Sequence, residues 1–137
     1  IDNSLDGLKW ITPSFKDDPE QELLILKKTK ERIEQINHNI IFITHYLFLD
    51  SITKKKLNYP SRTSTIEGAS IPIKDHRFYE DYKRFLKNKI KKNNVKEIYF
   101  LKHEKISQKI ITDYFDKDCY SLSEDELFYI FKINCLV

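Results

Sequence analysis

The sequence predicts an α/β fold: a single three-layer, Rossmann-like domain with a mostly parallel sheet and a C-terminal antiparallel hairpin. Amphipathic helical segments alternate with short apolar, β-branched segments, which is the order of a parallel sheet covered by helices. Two of these apolar segments lack the polar alternation of a one-sided strand, which is typical of strands buried on both faces. The length of 137 residues and the 40% hydrophobic content suit one domain with one core.

The first helix has the clearest local signal. Asp18 is a favourable N-cap, Pro19 suits the first helical position, and Gln21 occupies the place where a capping box closes. Apolar residues then recur at helical spacing, so the sequence predicts a helix over 19–36. A short strand is predicted before it, at 8–12.

A continuous apolar run rich in β-branched and aromatic residues follows at 39–46 and predicts a central strand. A short helix is predicted at 47–52. The segment 58–72 is rich in Ser, Thr, Pro and Gly and predicts a loop that is long for a compact domain. A second amphipathic helix begins near residue 75 and ends at the asparagine pair 93–94.

The remaining third of the chain predicts one strand, one helix and a hairpin. Residues 95–101 have the same apolar character as the first central strand. Residues 106–115 carry apolar side chains at the spacing of a third amphipathic helix. Two final strands, at 119–122 and 127–133, are separated by a turn short enough to make them an antiparallel pair.

Composition argues against several classes of function. The net charge is +3, but 21 acidic side chains accompany 24 basic ones, so the sequence predicts no nucleic-acid partner. The only glycines, Gly7 and Gly68, do not lie between a strand and the next helix, so neither a dinucleotide site nor a P-loop is expected. The histidines lack zinc-like spacing, and the sequence predicts no metal and no cofactor.

The two cysteines, Cys119 and Cys135, leave two alternatives open. Each has apolar neighbours, where a buried free thiol is the ordinary arrangement. A disulfide bond between them is the alternative if the two segments pair as a hairpin.

Candidate ligand-binding residues follow the predicted central strands. His45 and Tyr46 end the first strand, and His103, flanked by Lys102 and Glu104, follows the second. Ligands of open α/β sheets bind beyond the carboxyl ends of the strands, so these side chains are expected around one crevice. Arg62 joins them if the long loop folds back, since a guanidinium among hydroxyls suits a sugar or a phosphate. The same histidines could act as general acid and base, or have a purely structural role.

Four blocks of residues carry a resemblance to a known family. They are 8–13 (LKWITP) with the Asp-Pro-Glu cap at 18–20, then 43–46 (ITHY), 59–63 (YPSRT) and 90–96 (IKKNNVK). Their order resembles the C-terminal domain of bacterial polytopic membrane proteins of the glycosyltransferase C class, which use a lipid-linked sugar donor. The resemblance implies an appendage on the extracytoplasmic face, attached to the membrane through a parent chain that carries the catalytic acid.

The sequence therefore predicts a non-catalytic accessory domain, spanning residues 1–137 and excised from a longer protein, since the chain begins at Ile1 and has no Met. It would bind an acceptor sugar or a partner, and as an isolated domain we expect it to be a monomer. Two alternatives remain: a small hydrolase or transferase domain that uses His45 and His103, and a plain protein-interaction module.

Overall fold

The computed structural model describes Leu5, residues 18–61 and residues 71–135. The predicted strand at 8–12 and the candidate ligand residue Arg62 lie outside the described residues. The helices are α1 (Pro19–Glu34), α2 (Leu49–Ile52), α3 (Tyr79–Lys92) and α4 (Lys109–Thr112). The strands are β1 (Asn39–Ile43), β2 (Val95–Leu101), β3 (Tyr120–Glu124) and β4 (Phe128–Ile133).

The four strands form one mixed sheet in the order β1-β2-β4-β3. β1 and β2 pair in parallel, with Ile41 opposite Ile98, so the predicted neighbouring of the two apolar strands is confirmed. β3 and β4 pair antiparallel, which confirms the C-terminal hairpin. β4 also pairs antiparallel with β2, so the sheet has a single parallel pair.

The prediction of a mostly parallel, three-layer Rossmann-like fold is therefore wrong. The hairpin places β4 beside β2, because β4 carries the buried Phe128 and Phe131 whereas four of the five β3 residues are exposed. The more apolar strand takes the inner position, since it buries more apolar surface there. The predicted third helix, 106–115, shortens to the four residues of α4, which is too short to carry a parallel crossover along the sheet.

Apolar side chains leave the sheet on both faces. Ile40 and Phe42 of β1 belong to a core cluster that includes Leu26 and Ile33 of α1. The alternate residues of β1, with Leu86 and Ile90 of α3, belong to a second cluster. α1 and α3 therefore pack against opposite faces of the sheet.

The outer edge of β1 is covered by the chain that follows α2. The Phe42 N–H donates to the Leu57 carbonyl oxygen at 2.9 Å, and the Asn58 side-chain amide donates to the Ile40 carbonyl oxygen at 2.9 Å. Asn58 has a φ of 51°, a left-handed conformation that Asn tolerates better than most residues. The 57–58 segment thus satisfies backbone groups that an edge strand would leave open.

Candidate functional site

The parallel pairing of β1 and β2 brings the segments that follow them together. The His45 N–H donates to Oε1 of Glu104 at 2.6 Å, which ties the end of β1 to the 3-10 turn Lys102–Glu104 after β2. The predicted meeting of these two strand ends is therefore observed. The side chain that joins them is the carboxylate of Glu104, and neither histidine ring takes part in this contact.

Glu104 is a partly buried acid, and one of its carboxylate oxygens is fully buried. Burial raises its pKa from 4.5 to about 7, against the opposing effect of hydrogen bonds from the Thr44 hydroxyl and the His45 amide. Its second carboxylate oxygen, Oε2, is buried and has no hydrogen-bond partner in the described part of the chain. Glu104 thus exchanges its proton near neutral pH, although the sequence pointed to histidine for that property.

Tyr46 has a structural position. It is 5% exposed, and its hydroxyl donates to Oε1 of the buried Glu22 on α1 at 2.7 Å. Its backbone N–H donates to the Thr44 hydroxyl oxygen at 3.0 Å, and its ring meets Phe48 edge to face. The ring therefore offers no open face to a ligand, and it anchors the turn after β1 to α1.

The two candidate histidines reach different surroundings. His45 and His103 are both exposed. His103 lines a groove of about 460 Å³ between α1 and the turn of the β3–β4 hairpin, and His45 is not among the residues that line this groove. Of the two candidate histidines, only His103 lines this groove.

The groove of His103 is lined mainly by polar and charged side chains. Its floor includes Ile25 and Leu127, and its walls are formed by Gln21, Lys28, Glu31, Arg32, Gln35, His103 and Glu126. Residues 21, 28 and 32 of α1 and its C-cap residue 35 share one side of the helix, because they are separated by seven, four and three positions. That polar stripe at helical spacing was the signal in the sequence that could have identified the groove.

Arg32 is held at the groove by the hairpin turn. Its guanidinium pairs with Oδ2 of Asp125 at 2.5 Å and lies 5.6 Å from the centroid of the Phe128 ring. Oδ1 of Asp125 accepts hydrogen bonds from the Leu127 and Phe128 amides, each at 2.8 Å. Partial burial alone would raise the pKa of Asp125, but these amides and Arg32 together lower it. The groove wall is therefore preorganised by an acid that stays ionised.

The cysteines that the sequence left open are paired. Cys119 and Cys135 form a disulfide bond that spans 16 residues and closes the open end of the β3–β4 hairpin. The Asn134 N–H also donates to the Cys119 carbonyl oxygen at 2.7 Å. The disulfide bond and the hydrogen bonds between β3 and β4 therefore stabilise the same strand register.

Among the described residues, no group of three or more His, Cys, Asp or Glu side chains is arranged to hold a metal ion. No helix in the described ranges is both long and apolar enough to cross a membrane.

Comparison with known proteins returned no relative. No protein-family model, no curated protein and no solved structure matches this chain. The function of this chain must therefore be inferred from its own residues.

Proposed function

We propose that this chain is a non-catalytic binding domain of a membrane-bound, glycosyltransferase-like protein, and that its α1–hairpin groove binds a sugar. The observation that carries the proposal is the groove itself, whose apolar floor is surrounded by side-chain amides, carboxylates and cations. Binding sites for small molecules combine apolar surface with convergent polar groups, and this groove contains both, with the polar groups in the majority.

The chemistry of the groove favours a neutral sugar over a phosphate. Gln21 and Gln35 can each donate and accept hydrogen bonds, as sugar hydroxyls do. The charge of Arg32 is compensated by Asp125. The same lining contains Lys28 together with two carboxylates, Glu31 and Glu126. A dianionic phosphate would find little net positive charge here, whereas a hydroxyl-rich ring would find donors and acceptors of both kinds.

The disulfide bond supports the extracytoplasmic placement in this proposal. Disulfide bonds persist on the oxidising side of membranes and are rare where thiols are kept reduced. The Cys119–Cys135 bond has partner Cα atoms 4.8 Å apart, a separation that disulfides ordinarily adopt. The attachment to a polytopic parent is supported by the resemblance of the four sequence blocks.

Histidine NMR of the 137-residue chain tests sugar binding directly. Titration with neutral monosaccharides should shift the ring signals of His103 and leave those of His38 and His76 unchanged. Gln35→Ala should abolish the shift, whereas Gln108→Ala, a matched change outside the groove, should preserve it. Equal movement of all the histidines, or silence at His103, would contradict the proposal. Stronger shifts with sugar phosphates than with neutral sugars would contradict the choice of ligand.

The extracytoplasmic location is tested separately from sugar binding. Thiol titration of the denatured, unreduced chain, expressed in its native host, should find Cys119 and Cys135 unreactive because they are paired. Two reactive thiols would argue against an oxidising compartment. Several hydrophobic spans in the same reading frame would support a membrane-embedded parent, and a reading frame without them would exclude it.

A further inference from the structure

The segment 73–92, which contains α3, concentrates exposed apolar side chains. Five large hydrophobic side chains are exposed in the described part of the chain, and three of them, Ile73, Phe78 and Phe85, lie in this segment. Ile73 is 60% exposed, and both phenylalanines are 48% exposed. Phe78 and Phe85 are seven residues apart, about two helical turns, so they share one side of α3.

The same segment concentrates positive charge. Residues 74–92 contain eight cationic and three acidic side chains, a net charge of +5, whereas the entire chain carries +3. The remaining residues therefore have a net charge of −2. This asymmetry is a property of one surface, because α3 turns Leu86 and Ile90 towards the sheet and leaves its charged residues outside.

Each exposed ring has a cation beside it. The guanidinium carbon of Arg77 lies 4.6 Å from the centroid of the Phe78 ring, and Nζ of Lys89 lies 5.7 Å from that of Phe85. The pKa of Lys89 is lowered, first by partial burial and then by the charge of nearby Lys56. Positive charge thus extends past α3 towards the segment that follows α2.

An apolar pocket opens beside Phe85. It has a volume of about 290 Å³ and is lined by Leu47, Tyr59, Pro60, Ser61 and Phe85. The exposed Phe85 ring therefore borders a concave apolar surface, and Lys89 lies over that ring.

We propose that this α3 patch, defined as Ile73, Lys74, Arg77, Phe78, Phe85 and Lys89, docks on the surface of an anionic lipid bilayer. Cations meet the phosphates of the headgroups while apolar side chains enter the boundary with the acyl chains, and this combination is what interfacial helices use. Charge complementarity selects the anionic bilayer. A nucleic acid would share the cations but has no use for the exposed aliphatic Ile73, and it stacks bases on ring faces that Arg77 and Lys89 already approach.

This inference goes beyond the proposed sugar binding and does not depend on it. α1 and α3 pack against opposite faces of the sheet, so a domain lying on the membrane through the α3 patch keeps the α1–hairpin groove on its far side. The groove therefore stays accessible when the patch is occupied.

Vesicle flotation with the 137-residue chain tests the proposal. The protein should float with vesicles of phosphatidylcholine mixed with phosphatidylglycerol, should float much less with phosphatidylcholine alone, and should be released by added salt. The double variant Arg77→Gln/Lys89→Gln should bind about 30-fold more weakly, since each cation near an anionic surface contributes about fivefold. Phe78→Ser/Phe85→Ser should weaken binding by about tenfold or more.

Matched controls remove exposed residues elsewhere. Lys96→Gln/Lys117→Gln and Leu122→Ser should each bind the mixed vesicles like the unmodified chain. Circular dichroism should show that all variants are folded, because Lys89 is half-buried and the other substituted side chains are exposed. Equal flotation with both vesicle types, or equal loss in the patch and control variants, would overturn the proposal. Retention on single-stranded RNA without vesicle binding would also overturn it.

Discussion

Replacing Glu104 by Gln should change how the stability of the domain depends on pH. The pKa of Glu104 is raised from 4.5 to about 7 by burial, so the folded state disfavours the ionised acid relative to the unfolded chain. Because its pKa is raised on folding, Glu104 contributes fully to the free energy of unfolding below about pH 4.5. This contribution is lost as the pH rises through 7. At about 1.4 kcal/mol per pKa unit, the loss amounts to about 3 kcal/mol.

The Gln variant cannot ionise, so it should not show this loss. Its carbonyl oxygen can still accept the His45 N–H, but its NH₂ group would take the place of Oε2, which has no hydrogen-bond partner among the described residues. That mismatch costs about 1 to 3 kcal/mol at every pH, so the pH-dependent part of the difference is the diagnostic quantity.

Urea denaturation followed by far-UV circular dichroism, from pH 4 to pH 8.5, measures this difference. The free energy of unfolding of Glu104→Gln minus that of the unmodified chain should rise by about 3 kcal/mol across the range, mostly between pH 5 and 7.5. Glu80→Gln, which removes an exposed carboxylate, should give no such rise. If the difference in unfolding free energy for Glu104→Gln did not change with pH, burial would not be destabilising the ionised form of Glu104, and the assignment would be refuted.

Three further changes probe the sheet. Phe42→Ala should cost about 3 to 5 kcal/mol in urea denaturation, because this fully buried ring also packs edge to face against Phe128; a loss below 1 kcal/mol would contradict its central position. Reduction of the Cys119–Cys135 bond should lower stability by about 3 kcal/mol, as expected for a loop of this length, and an unchanged thermal midpoint would argue against the bond. Asn58→Gly loses only the hydrogen bond to β1, whereas Asn58→Ala also has the strain of a left-handed backbone conformation. The Ala variant should therefore be about 1 kcal/mol less stable than the Gly variant. Equal stabilities would contradict the left-handed conformation of residue 58.

Local signals in the sequence predicted several elements well. The Asp18 cap is present, with its carboxylate accepting the Gln21 N–H at 3.0 Å, and α1 begins at Pro19 as predicted. The apolar runs of β1 and β2 were sufficient to predict a buried parallel pair, because strands without polar alternation must be covered on both faces. The predicted strand over 39–46 ends three residues early, at Ile43.

The order of the strands was harder to predict because it depends on competition between segments. The sequence predicted β3 and β4 only as an antiparallel pair, and the serines and the glutamate of β3 make it a poor inner strand beside the phenylalanines of β4. Comparing the two segments for the place next to β2 would have given the antiparallel pair. The length of the third helix was also overestimated, since apolar spacing alone does not show where a helix ends.

The sequence predicted that the ends of β1 and β2 meet, but it did not predict the groove between α1 and the hairpin, which contains only His103 of the candidate residues. The sequence placed His45, Tyr46 and Glu104 at the ends of neighbouring strands, and the contact between His45 and Glu104 follows from that placement. Burial then decided the roles, since it put the Tyr46 ring in the core and raised the pKa of Glu104. Exposure of individual side chains depends on the whole fold, so the sequence could not assign these roles.

Because the edge of β1 is covered, the two edges of the sheet differ in whether they can pair with a further strand. Leu57 and Asn58 occupy the hydrogen-bonding positions beside β1, whereas within the described residues β3 has a strand neighbour on one side only. Among the described strands, a further strand from a partner or a second copy would therefore extend the sheet next to β3, where exposed Ser121, Ser123 and Glu124 surround a single Leu122. An engineered strand fused for complementation should be designed against β3, and proline substitutions meant to prevent self-association belong there as well.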